Sequence, residues 1–413
     1  MKSLYTVILL LLRLGMRIAS LFDSKASLFV TGRKDLLKNL SQAIGDRPGP
    51  VVWFHCASLG EFEQARPLIE MLKNESPQFK ILLTFFSPSG YEIRKNYSFA
   101  DFVFYLPWDT ASNAKRFVTI AKPVLAIFVK YEFWHYYARE LKQRNIPLLS
   151  VSSIFRSSQL FFKSYGGFYR NILKNFSHFF VQNEESTKLL KSIGIDQCTL
   201  AGDTRFDRVM SIVQQNATID IVRQFKGENH CWVIGSSWPE DLDVFLPLIH
   251  ENTGNLKFII APHEIDEGTL AGIEKLLEVP SVRFSKAGKE AEDATVLVVD
   301  TIGHLSKLYQ YGEFAYVGGA FGKGLHNILE AACYGIPVFF GNRNYEKYQE
   351  AVDLIMRGGA FEISDYADLK KKYELLISRP ENYLLACEVT QYYVKQNLGA
   401  TEVIMKYCRG LLK

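Results

Sequence analysis

Apolar residues fall into short runs rich in Val, Ile and Phe, separated by longer stretches of helical period. The runs at 51–54, 81–86, 102–106, 124–129, 147–151 and 179–182 predict strands, and the amphipathic stretches at 61–74 and 136–144 predict helices between them. Strands apolar at every position, rather than at alternate ones, belong to a parallel sheet covered on both faces, so the alternation predicts βαβ units. After Thr204 the pattern restarts. A helical stretch at 211–224 and the polar loop Lys226-Gly227-Glu228-Asn229 precede further strands at 231–234, 258–261, 295–299, 314–317 and 337–340. The pattern predicts two doubly wound α/β domains, 23–205 and 206–381. A last helical stretch, 382–413, is long enough to pack back across both.

Residues 1–22 stand apart. They are apolar except for Thr6 and a few other positions, but Arg13 and Arg17 interrupt them, and a spanning helix needs about 20 apolar residues without charge. No small-residue cleavage site follows. The segment predicts a helix lying in or dipping into a membrane with its arginines at headgroup level, or else a buried first helix.

Composition adds limits. At 413 residues and 48% apolar, the chain has material for two cores. Aromatic residues reach 14%, which fits dense cores or lipid-facing surface alike. A net charge of +4 is too small to argue for nucleic acid. The first half, however, sets Arg33, Lys34, Lys38, Arg94, Lys95, Lys130 and Arg156 close to aromatic residues. Anionic lipid or a phosphorylated acceptor suits such a half, and so does a plain solvated face. The six cysteines lack CxxC spacing and read as thiols, four of them in apolar runs, rather than disulfides or a zinc site.

Two doubly wound domains imply a cleft lined by loops from the carboxyl ends of their strands. A nicotinamide site is excluded, because Gly318-Gly319-Ala320-Phe321-Gly322-Lys323-Gly324 lacks the GxGxxG spacing and the acid that follows it. After the first strand, Ser58-Leu59-Gly60-Glu61 has capping-box spacing. The same placement suits a general base, since a helix start after a strand favours a negative group and Gly60 leaves room for substrate. Spacing leaves both readings of Glu61 open, and they exclude each other in time if the base is tied to the backbone. A second glycine turn leads into His326-Asn327-Ile328-Leu329-Glu330, where helix-start amides suit a phosphate and Glu330 suits ribose hydroxyls. Loops at 235–240, 261–264 and 300–304 fall on the same expected rim. No HxH or HExxH spacing makes His263 or His304 a metal ligand, and no metal is expected.

Taken together these segments resemble the 3-deoxy-D-manno-octulosonic acid (Kdo) transferases over nearly the whole chain. The segments carrying the resemblance are the N-terminal helix, the HxxSxGE loop ending at Glu61, Lys130-Tyr131-Glu132-Phe133-Trp134, Ser152-Ser153-Ile154-Phe155-Arg156-Ser157, Gln182-Asn183-Glu184-Glu185 and Gly202-Asp203-Thr204-Arg205-Phe206-Asp207. The second half adds Gly318-Gly319, the stretch from His326 to Glu330, and Ile336-Pro337-Val338. The resemblance implies a GT-B fold, CMP-Kdo as donor, a lipid A precursor (lipid IV(A)) as acceptor, no cofactor, and a place on the cytoplasmic face of the inner membrane. It implies Glu61 as base in an inverting transfer. Donor contacts fall on Pro262, His263, Ile302, Gly303, His304, Asn327, Ile328, Leu329 and Glu330. Where many relatives read Pro-Arg-His, this chain has Ala261-Pro262-His263, and where many have Gly-Glu it has Gly303-His304. Ser58, Gly60, Lys130, Arg156 and Arg205 are candidates for the acceptor or the Kdo carboxylate, with a structural ion pair as the other reading of each cation. An epimerase, another GT-B glycosyltransferase and a non-catalytic lipid-binding relative remain the alternatives.

Overall fold

The computed structural model of the chain describes residues 2–215, 217–252, 254 and 256–412. It divides into two compact units, Met1–Arg208 with Leu398–Lys413, and Val209–Asn397. The first unit opens with three helices, α1 (Lys2–Ala19), α2 (Ser24–Thr31) and α3 (Leu36–Asp46). Strand β1 (Val51–Cys56) follows, then helix α4 (Leu59–Glu75), β2 (Lys80–Phe85), β3 (Phe102–Tyr105), β4 (Pro123–Val129), β5 (Leu148–Ser153), β6 (His178–Val181) and β7 (Cys198–Leu200). They pair in the order β3-β2-β1-β4-β5-β6-β7, every pair parallel.

The second unit repeats the plan with β8 (His230–Ser237), β9 (Leu256–Pro262), β10 (Ser281–Arg283), β11 (Val296–Val298), β12 (Phe314–Val317), β13 (Val338–Gly341) and β14 (Ala360–Ile363). Its order is β10-β11-β9-β8-β12-β13-β14, again parallel throughout. Each sheet reverses direction once, beside β1 and β4 in the first unit and beside β8 and β12 in the second. Loops part at such a reversal, which is where open α/β sheets hold ligands.

The unbroken apolar runs have the cause expected of them. Every residue of β1 is buried. Val51 and Trp53 enter one layer with Phe117 and Phe128, while Val52 and Phe54 enter the other with Phe62 and Leu68. Each such side chain contributes about 1.5–3 kcal/mol by leaving water. The helix Ala400–Leu411 closes the second layer with Ile404, Met405 and Cys408. Asp207 holds its start by accepting the N–H groups of Gly399 and Thr401 at 2.7 and 2.6 Å.

Helix α1 is fastened to the first unit along one side only. Tyr5 donates to Asp109 at 2.6 Å, Thr6 bonds the Tyr136 hydroxyl at 2.7 Å, and Leu9 is buried. Burial pushes the Asp109 carboxyl up to about 6, although Tyr5 and the amides of Tyr136, Tyr137 and His135 work against the rise. The stripe Leu4, Val7, Leu11, Leu14 and Ile18 is exposed, as are Leu21 and Phe22 at 76% and 85%. Among the described residues no helix is long and apolar enough to cross a membrane.

Several expectations change. The stretch 211–224 is not one helix: Thr204–Gln214 ends before it and Asp220–Lys226 begins within it, while Asn216 lies outside the described residues. Between them Ile219 adopts extended backbone (φ −118°, ψ 100°), and its N–H bonds the Tyr311 hydroxyl, so a tertiary contact replaces a helical one. The stretch 382–413 likewise holds two helices, Pro380–Gln396 and Ala400–Leu411, parted where Gly399 takes φ +106°. Strands β7, β10 and β14 escape the pattern because they have only three or four residues with mixed polarity. All six cysteines are free thiols, with Cys56, Cys231, Cys333 and Cys408 buried.

Candidate active site

In the first unit the chemistry gathers at the carboxyl ends of β1 and β4, where the sheet reverses. Two residues after β1, Ser58 starts α4, and the Ser58–Glu61 capping box forms. The Glu61 carboxylate accepts the Ser58 N–H at 3.1 Å, and the Ser58 hydroxyl also donates to it. Both bonds end on Oε2. Glu61 Oε1 has no hydrogen-bond partner among the described residues, and the side chain is half-buried. Capping and proton acceptance therefore use different oxygens and are compatible. A Cβ on exposed Gly60 would meet only Ser58 Oγ, at 3.9 Å, so the approach to Glu61 is open.

A second carboxylate, Glu132, comes from the loop after β4. Its Oε2 meets His55 Nε2 at 2.9 Å and accepts Trp134 Nε1–H at 2.7 Å. His55, fully buried, turns Nδ1 to Thr84 Oγ1 at 2.9 Å. Thr84 already accepts Trp53 Nε1–H at 2.7 Å and directs its own hydrogen to Phe54 O, so His55 Nδ1 is the donor there. Trp134 Nε1–H lies 3.2 Å from His55 Nε2 as well, so His55, Glu132 and Trp134 close one hydrogen-bonded cluster. This chain of bonds links residues 77 positions apart and fixes Glu132 firmly. Burial pushes the Cys56 thiol well above its ordinary range, and the nearby charges of Glu61, Glu132 and Glu63 push it further.

The predicted cations divide. Burial works to raise the Asp203 carboxyl, yet Arg205, its backbone N–H, Gln64 and Lys130 outweigh it and hold the group below the usual carboxylate value. Arg205 grips Asp203 through Nε and Nη2, each at 2.8 Å. Lys130 takes the left-handed conformation at φ +58°, directly after β4. Arg156 is exposed and reaches the Tyr131 hydroxyl at 3.3 Å. Three of the basic residues noted beside aromatics have internal partners: Arg94 pairs with Glu63 at 3.0 Å and Lys95 with Glu92 at 2.9 Å. Arg33 donates to the carbonyls of Leu106, Phe29 and Phe86, and burial lowers it to about 9.

In the second unit the loops after β8, β9 and β12 build a stack. The ring of Trp238 lies 4.4 Å from that of His263, which lies 4.6 Å from that of His326. Lys323 Nζ sits 3.9 Å over the Trp238 ring. Burial, then the neighbouring His263, lowers His326 to about 4, so the ring is neutral near pH 7. Asp241 ties these loops together by accepting from Trp238 N, Gly319 N and the Tyr316 hydroxyl at 2.8, 3.0 and 2.5 Å. The stack gathers three rings and one cation at the carboxyl ends of these strands.

The family profile described as 3-Deoxy-D-manno-octulosonic-acid transferase (kdotransferase) matches residues 33–208. The 3-deoxy-D-manno-octulosonic acid transferase of Aquifex aeolicus is 29% identical over 350 residues, covering 84% of this chain and 89% of that protein. The chain is a glycosyltransferase related to the Kdo transferases. The Haemophilus influenzae protein of the same description is 25% identical over 380 residues, 89% of this chain and 88% of its own. In fold, the glycosyltransferase has the GT-B plan of two Rossmann-like units. It is similar to the UDP-GlcNAc 2-epimerase of Neisseria meningitidis, with a TM-score of 0.62 at 18% identity over 86% of this chain and 98% of the other.

The residues predicted to meet a donor in this glycosyltransferase all lie at the same sheet edge but differ in what they present. Pro262 is buried, while His263, Ile302 and Gly303 are exposed. His304 packs at 5.0 Å on the Phe284 ring. Ile328 and Leu329 are buried, so only their backbone groups can face a ligand. Asn327 Nδ2 donates to Glu330 Oε1 at 3.2 Å. The helix expected to start near Asn327 is the single turn Leu329–Ala332, because Asn327 bonds Leu329 N with its side chain and delays the helix. Glu132, His55, Trp238, Lys323 and Asp241 received no role from the sequence, since their partners lie far along the chain. Among the described residues no group of three or more His, Cys, Asp or Glu side chains is placed to hold a metal.

Gly319 is required by the turn it makes. It has φ +93°, and a Cβ there would fall 2.5 Å from Gly324 O. Gly319→Ala is expected to destabilise the second unit by about 1–3 kcal/mol, read as a lower denaturation midpoint. Gly303→Ala meets no atom within 4 Å and is the comparison that isolates the clash, since it shares φ +93°.

Proposed function

We propose that the chain transfers Kdo from CMP-Kdo to a lipid A precursor, lipid IV(A), in lipopolysaccharide core biosynthesis, with Glu61 as general base. The observation that carries this reading is the Glu61 carboxylate at the sheet reversal, oriented through Oε2 and open at Oε1. The acceptor hydroxyl gives its proton to Oε1 as its oxygen attacks the anomeric carbon. The bond from that carbon to the CMP phosphate breaks from the opposite side, the phosphate leaves with the electron pair, and configuration inverts. Glu132 also has its bonds on one oxygen, but its side chain is only 12% exposed, which makes it the less accessible base. Arg156 and Lys130 suit the acceptor phosphates or the Kdo carboxylate, and Arg205 does so only while held by Asp203. The Trp238–His263–His326 stack with Lys323, together with the backbone from Asn327 to Glu330, supports a cytidine monophosphate site in the second unit. Purified protein given CMP-Kdo and lipid IV(A) should release CMP and yield a product heavier by one or more Kdo residues. Epimerised sugar nucleotide without transfer, or no turnover, overturns the reading.

The exposed stripe of α1 supports a place on the cytoplasmic face of the inner membrane. Replacing Leu11, Leu14 and Ile18 together by Ser should lower recovery in the membrane fraction at least tenfold, since each side chain contributes about 1.5–3 kcal/mol on leaving water. All three are exposed, so the melting temperature should hold. Unchanged recovery removes α1 as the membrane contact.

A further inference from the structure

Beside α1 the first unit has a cavity of about 610 Å³, lined by none of the residues assigned to the transfer. Its lining includes Arg13 and Arg17 of α1, Lys34 and Lys38, and Arg116 with Trp108. Counting Arg33, six basic side chains line it, against one acid, Asp35. Arg33 is spent on three carbonyls, but Arg13, Arg17, Lys34, Lys38 and Arg116 form no ion pair among the described residues. Arg17, Lys34, Lys38 and Arg116 are exposed, so the lining is a water-facing wall of one sign of charge, which favours an anion.

The backbone points the same way. The first turn of α3 forms part of the wall through Leu36, Leu37 and Lys38. Its N-cap residue, Asp35, sits in the left-handed region at φ +52° and makes no side-chain cap bond. The first amides of this eleven-residue helix are thus left to an outside acceptor, and the helix dipole favours a negative one. Arg13 and Arg17 leave α1 on the flank of its exposed apolar stripe, so a group in the cavity lies beside whatever covers Leu14 and Ile18.

We propose that this cavity binds the phosphate of a membrane lipid, with guanidinium groups and α3 amides on its oxygens and α1 along its acyl chains. The proposal rests on the membrane-surface reading of α1 and not on the transfer reaction. Guanidinium forks match phosphate oxygens in pairs, and five cations exceed what a single carboxylate needs. Trp108, packed edge-on to Phe29 and Phe86, adds to the lining the residue type that favours a membrane interface.

The test is calorimetric titration of the full chain with dihexanoyl phosphatidic acid, with inorganic phosphate as the second probe. The short-chain lipid should bind, and inorganic phosphate should bind more weakly. Arg116→Gln and Lys38→Gln should each weaken the lipid about tenfold, the worth of one charge-assisted bond. Lys142→Gln with Lys174→Gln, exposed cations of the same unit away from the cavity, should leave it unchanged. Equal weakening by that control shows diffuse attraction and overturns the site. So does inorganic phosphate binding as tightly as the lipid, which removes the lipid as occupant, and so does no binding of either probe. Flotation with phosphatidylcholine vesicles, with and without phosphatidic acid, separates the two layers. The Leu11, Leu14 and Ile18 variant should lose vesicles of both kinds, and Arg116→Gln only the dependence on phosphatidic acid. Loss of transfer after Glu61→Gln leaves all these readings untouched.

Discussion

Glu61→Gln should lower Kdo transfer by a factor of about 10² to 10⁴ while leaving the protein folded, the range spanned by a lost general base. The size separates the two roles that α4 gives the residue. Glutamine keeps an acceptor for the Ser58 N–H, which the carboxylate takes at 3.1 Å, so the helix start survives. It cannot accept a proton at the open oxygen. Glu61→Ala removes both functions, and the added loss of about 1 kcal/mol in stability is the worth of the cap. Ser58→Ala should cost activity far less, because it frees the carboxylate without removing it. Full activity in Glu61→Gln protein moves the base elsewhere, and Glu132 becomes the carboxylate to change next.

The second large effect is on stability. Asp203→Ala should lower the unfolding free energy by about 3 kcal/mol, the lower end of the range for breaking a buried pair. The low end applies because Arg205 is 22% exposed and can turn to water, while buried Gln64 cannot recover the acceptor it had at 2.9 Å. The pH dependence has a definite sign. The folded carboxyl lies below its ordinary value, so its contribution is complete above about pH 4, the unfolded value, and fades as pH falls through the folded one. Denaturation midpoints of Asp203→Ala and unaltered protein should therefore converge as pH falls below about 4. A gap that stays constant as pH falls means that the carboxylate charge is not what holds the pair.

Parallel strands were legible because burial on both faces forces runs such as Val51-Val52-Trp53-Phe54 to be apolar throughout. Short edge strands such as Ser281–Arg283 leave no such trace. The start of α4 was legible from Ser58 and Glu61, yet the assignment of Oε2 to the cap and Oε1 to solvent is a matter of rotamer, which spacing does not encode. The bond from His55 to Glu132 joins residues that only the pairing of β1 with β4 makes neighbours. Arg33, Arg94 and Lys95 show the converse error. Positive charge near aromatics looks like a binding face in sequence, and internal carbonyls or carboxylates take up these three. The cations that line the cavity, Arg13, Arg17 and Arg116 among them, are dispersed over a hundred positions and gather only when α1 docks through Tyr5.

The helix Ala400–Leu411 closes a layer begun by β1 some 350 residues earlier. A ribosome must therefore release the chain through Cys408 before Ile404, Met405 and Cys408 can cover Phe62 and Leu68. Until then the nascent first unit carries an open greasy flank, a natural target for a holding chaperone. A stop codon just ahead of Ala400 should thus yield insoluble protein, even though every residue assigned to chemistry has already been made.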